Sequence, residues 1–104
     1  MSAKSSKTKY KVRSTVWVYP GVAAWRFVNM DRGQSEEIKE KHGKNKRGFG
    51  SIPVSVSLGK SRWKTSIFPD KRSGTYLLPL KAKIRADEGI FDGDIVNFAI
   101  EIGA

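Results

Sequence analysis

A chain of 104 residues with 20 Lys and Arg against 10 Asp and Glu has room for one small basic domain, and its formal charge of +10 favours polyanionic partners. The absence of Cys excludes a disulfide framework and any thiolate metal site. No apolar run approaches the ~18 residues of a membrane span. The opening MSAKSSKTK lacks the apolar stretch of a signal peptide, so a reducing cytoplasm and no membrane contact are expected.

Residues 1–9 are polar and aperiodic and read as a disordered basic tail, which leaves 10–104 for a single β-barrel domain. Tyr10–Tyr19 alternates, with Val12, Val16 and Val18 on one face and Arg13, Thr15, Trp17 and Tyr19 on the other, so it reads as a strand. Pro20-Gly21 turns the chain into a second strand, Trp25–Asn29, with Trp25 and Phe27 sharing a face. Gly33 to Gly43 carries a helix pattern. Ser35 is the expected N-cap, Glu36 and Glu37 complement the helix dipole, Lys39 and Lys41 follow, and Gly43 stops it. Its one strong apolar residue is Ile38, as on a surface helix.

Lys44 to Gly50 reads as a loop, with Phe49 tucked inward by a Gly-rich bulge. Ser51–Leu58 is the cleanest strand, with Ile52, Val54, Val56 and Leu58 facing a core and Pro53 implying an edge or a bulge. Gly59-Lys60-Ser61 closes a hairpin to Arg62–Phe68, and Pro69 to Gly74 turns again. Thr75–Leu80 is a strand, Lys83–Glu88 a helical turn and Asp94–Ile102 the last strand. Val54, Val56, Leu78, Val96, Phe98 and Ile100 are the expected core.

The order strand, Pro turn, aromatic-led strand, basic helix, Gly, strand occurs twice, once ending at Leu58 and once at Ile102. The strands led by Trp25 and Tyr76 correspond in this scheme. Such a pseudo-repeat closes a pseudo-twofold barrel within one chain and so implies a monomer. The fold class is therefore all-β with one or two short helices.

Candidate chemistry is sparse. His42 is the only His and reads as a surface residue near a helix end. With no Cys and no second His, neither a catalytic triad nor a zinc cluster is visible, and no catalytic, metal or cofactor residue is assigned. Asp92-Gly93-Asp94 reads as a turn into a strand and not as a calcium pair. Arg47-Gly48-Phe49-Gly50 matches half of an RNA-recognition pattern, but Ser51 stands where a stacking aromatic belongs. Basic residues remain as the candidates: Lys46 and Arg47 in the loop, and Lys81, Lys83 and Arg85, which share a face if that segment is extended. Lys60, Arg62 and Lys64 line the hairpin. The three Trp lie in alternating strands and are expected to pack in the core, a ligand-facing Trp being the lesser reading.

Gly74, Leu77, Leu78, Pro79, Ile84, Arg85, Gly89, Ile90, Gly93 and Asp94 resemble the DNA-binding module of AbrB-type regulators and MazE-type antitoxins. Thr75, Ala86 and Glu88 depart from that pattern, standing where a basic residue, an Arg and a Leu are usual. A nearly full-length resemblance, from about Tyr10 to Ile102, is to a bacterial family, the domain of unknown function nineteen-oh-five. It rests on Trp25-Arg26-Phe27-Val28, Phe49 to Val54, Trp63 to Pro69, Tyr76 to Lys81 and Gly93-Asp94. That resemblance implies a double-split, swapped-hairpin β-barrel and brings no assigned activity. Relatives of the family occur fused to bacteriocin-protection modules. Fold and charge together point to a non-enzymatic module with nucleic acid or another polyanion as partner. The alternative is an interaction module with a protein partner.

Overall fold

The computed structural model describes residues 8–21, 25–43 and 50–103. Nine elements follow in chain order: β1 (Thr8–Thr15), β2 (Trp17–Val18), β3 (Arg26–Asn29), α1 (Arg32–His42), β4 (Ile52–Leu58), β5 (Ser61–Asp70), β6 (Thr75–Pro79), α2 (Ala82–Glu88) and β7 (Ile95–Ile102). The strands form one antiparallel, curled sheet in the order β1-β7-β4-β5-β6-β3-β2. The two ends of that order, β1 and β2, are one run of chain broken only at Val16. The amide of Val16 bonds the Asp94 carbonyl and its carbonyl accepts from Gly93, so the break is pinned. The architecture is barrel-like and all-β, as the alternating strands imply.

The pairings repeat. β1 pairs with β7 as β5 pairs with β4, and β2 pairs with β3 as β5 pairs with β6. Exchanging the halves maps β3 onto β6 and β4 onto β7, and these are the two pairs that meet each other, around Val28↔Leu78 and Val56↔Ile100. The pseudo-twofold therefore runs through both pairs. It makes Arg26 the counterpart of Tyr76, one residue away from the expected match of Trp25 with Tyr76.

All six expected core residues are buried, and Val28, Ile38, Ile52 and Ile67 join them with no exposed surface. β4 alternates as its sequence implies. Pro53 is tolerated because β7 reaches only Ser55–Ser57 of β4, so the strand is a local edge at Pro53. Gly59-Lys60 makes a two-residue hairpin turn, with Gly59 at φ +60°. Glu88 at the end of α2 accepts from the Lys60 amide (3.2 Å) and the Ser61 hydroxyl (2.7 Å). The Glu88 carboxylate thus ties α2 to the β4–β5 hairpin.

Several expectations are corrected. β1 begins at Thr8 and pairs Lys9 with Glu101, so the folded domain starts before Tyr10, while residues 1–7 lie outside the described residues. Asp31, not Ser35, caps α1 through the Gln34 amide. Ser35 is buried one turn in, where its hydroxyl accepts from the Tyr76 amide at 3.0 Å. No acidic residue lies in the first turn of α1. Glu37 instead accepts from the Tyr10 hydroxyl at 2.7 Å and pairs with Lys41. The Tyr10 bond, then the Lys41 charge, holds the Glu37 carboxyl below its ordinary range, while burial and this same bond push the Tyr10 hydroxyl up. His42 is 7% exposed, not a surface residue, and its Nε2 has no hydrogen-bond partner among the described residues. Val18 is exposed because the chain breaks step at Val16.

The largest correction concerns the Trp residues. Trp25 is 54% exposed, Trp17 is half-buried, and only Trp63 packs against the core, from its margin. Both faces of β2 and β3 carry large apolar residues. Val28 claims the inside, and the aromatic face is left outside.

Candidate nucleic-acid interface

Lys81 sits at the N-cap of α2 in an extended conformation and makes no side-chain capping bond. One helical turn on, Arg85 folds back and donates from Nε to the Leu80 carbonyl at 3.0 Å. Residues four apart share a helix face, so Lys81 and Arg85 point into one groove of about 360 Å³. Its other walls are the start of β3, the middle of β5 and the end of β6. They bring Trp25, Arg26, Trp63 and Lys64 to the same place. None of the described residues lining it is acidic.

Asp92 stands beside this groove and grips Arg26 through two bonds, Nε to Oδ1 at 3.0 Å and Nη2 to Oδ2 at 3.3 Å. That bond holds the Asp92 carboxyl below its ordinary range, helped by the charges of Arg26 and Arg85. It pushes the Arg26 guanidinium up. Gly93, at φ +88°, and an Asp94 side chain accepting from the Phe91 amide complete the turn that presents Asp92. Asp92-Gly93-Asp94 is thus a turn.

The sequence-predicted residues separate. Lys81 and Arg85 converge. Lys83 does not, because the segment is helical and not extended. Two residues along a helix is over half a turn, and Lys83 pairs with Asp87 at 2.8 Å, which pushes its ammonium up. Lys46 and Arg47 lie outside the described residues, as does Phe49. Trp25, Arg26, Trp63 and Lys64 join Lys81 and Arg85 there, and no sequence expectation groups them. The available signal was the recurring Trp-cation dipeptide, Trp25-Arg26 and Trp63-Lys64.

A basic sheet face adjoins the groove through Lys64. Across β1, β7, β4 and β5 the residues run Lys9, Glu101, Ser55, Lys64 in one row and Lys11, Ala99, Ser57, Arg62 in the next. Two basic rims, on β1 and β5, thus flank a floor of Ser55, Ser57, Ala99 and one carboxylate, Glu101.

Among the described residues there is no group of three or more His, Asp or Glu side chains that could hold a metal ion. No described helix is long and apolar enough to cross a membrane. No curated protein matches the chain significantly. Residues 13–100 match the family described as domain of unknown function (DUF1905), and with that span covering nearly the whole barrel the chain belongs to this family.

Proposed function

We propose that this domain is a non-enzymatic nucleic-acid-binding module. The observation that carries the reading is the convergence of Lys64, Lys81 and Arg85 with Trp25 and Trp63 on one groove, with no acid among its described lining residues. Lysine and arginine neutralise phosphates and release counterions. Tryptophan offers a ring face to a base or sugar. The basic rims on β1 and β5 extend the same potential over the adjoining sheet.

Fluorescence anisotropy with labelled random-sequence single strands and duplexes, at two salt concentrations, tests it. Binding that weakens steeply with salt is expected. No binding to either probe at low salt removes the reading. A protein partner is the second reading, favoured by Phe91 and Ile95, which are 73% and 57% exposed at the α2–β7 connection.

A further inference from the structure

Trp17 of β2 and Tyr19 just after it face Phe27 of β3 and Trp25 just before it. Trp17 is opposite Phe27 in the ladder, and the Tyr19 amide bonds the Trp25 carbonyl at 2.7 Å. The four rings form a continuous block on the outside of the sheet. Trp17 and Phe27 centroids are 5.5 Å apart, Tyr19 and Phe27 5.9 Å, and Trp25 stacks on Phe27 at 6.1 Å with 23° between planes. The Trp17 indole N–H donates to Asn29, whose amide in turn donates to Thr75, so the Trp17 ring is fixed without any ligand.

Cross-strand stacking explains the half-buried inner pair, Trp17 and Phe27. It does not explain the outer pair, since Tyr19 keeps 43% and Trp25 54% of its surface in water. Trp25 also walls the basic groove with Lys64, Lys81 and Arg85. One ring is therefore shared between an aromatic block and a cluster of cations. That juxtaposition fits a ligand that is anionic along its length and offers flat apolar rings beside each charge.

We infer that the ligand of this surface is single-stranded nucleic acid, its bases stacking on Trp25 and Tyr19 and its phosphates lying along Lys81, Arg85 and Lys64. The inference rests on the nucleic-acid reading above and narrows it. In a duplex the base faces are covered by neighbouring pairs and cannot meet an exposed ring. An unpaired strand presents them. A second copy of the chain is disfavoured by charge. A twofold contact through this block brings the groove cations of both copies together, in a protein of formal charge +10.

The test uses the full chain and three fluorescent probes: an oligothymidylate, an abasic strand of equal length and charge, and a blunt duplex of equal length. Oligothymidylate is expected to bind about tenfold or more tighter than the abasic strand, as one or two stacked bases supply. It is also expected to quench Trp fluorescence. Trp25→Ala and Tyr19→Ala are expected to abolish most of that preference, with a circular dichroism spectrum like the wild type reporting an intact fold, while Lys83→Ala, outside the groove, is expected to keep it. Trp25→Phe is expected to retain part of it. Equal affinity for all three probes, unaltered by Trp25→Ala, overturns the stacking inference and leaves the groove reading standing. No binding to any probe overturns both. A dimer that Trp25→Ala dissociates overturns the inference in favour of self-association.

Discussion

Val56 stands opposite Ile100 at the centre of the β4–β7 pairing, and each is the other's counterpart in the two halves of the chain. Both are buried, at 1% and 0% exposure. They occupy the place where the halves meet, with β1 and β5 flanking them. Replacing either with Ala is expected to cost on the order of 1–4 kcal/mol, from lost burial and the cavity left behind. Urea melts check this. Unchanged stability in both variants is incompatible with the strand faces described.

Because one chain supplies both halves of the pseudo-twofold, no exchanged partner is needed to complete the sheet. A monomer at micromolar concentration is the expected result of light scattering. A dimer that loses its fold on dilution contradicts the intrachain pairing of β4 with β7.

Gly59 and Glu88 form a second tight junction. A Cβ on Gly59 overlaps the Glu88 carboxylate, and the residue sits at φ +60°. Gly59→Ala therefore combines backbone strain with loss of the bonds from Lys60 and Ser61, and about 1–3 kcal/mol of destabilisation is expected. Glu88→Gln keeps an acceptor and is expected to cost less. A Gly59→Ala variant as stable as the wild type rules out this packing of α2 on the hairpin.

Asp92 sets the charge beside the groove. Its folded-state carboxyl lies below the ordinary range, so what the Arg26 bond contributes to stability is present above the ordinary carboxylate value. It is lost as pH falls through the depressed value. Near neutral pH Asp92 stays ionised, and its titration leaves binding untouched. Asp92→Asn removes that acid, and affinity for a labelled single strand is expected to rise about two- to fivefold at low salt. The gain should shrink as salt screens it. A fall in affinity means that Asp92 positions Arg26 for the ligand more than it repels it.

Much of the fold is legible in the sequence where one physical signal dominates. β4 alternates cleanly because one face is core and the other is wet. Gly89, at φ +64°, ends α2 where the sequence stops the helix. The site is less legible for three separate reasons. Lys81, Lys83 and Arg85 share a face only in an extended segment, and the structure coils it. Trp25 and Phe27 compete with Val28 for the interior of a short strand, and alternation alone does not say which set wins. Ser35 and Asp31 are both good caps. Only the position of the Tyr76 amide, far along the chain, assigns Ser35 to the interior.

Contact between the α2 groove and phosphate carries the proposed function. Its most direct test is the dependence of the association constant on salt for a labelled single strand, compared between wild type, Lys81→Ala and Lys83→Ala. Lys81 walls the groove and caps nothing with its side chain, whereas Lys83 is held by Asp87 outside it. The expected result is weaker binding and a slope of log K against log salt flattened by about one unit for Lys81→Ala, with Lys83→Ala close to wild type. Identical slopes for all three proteins, or no binding at low salt, would contradict it.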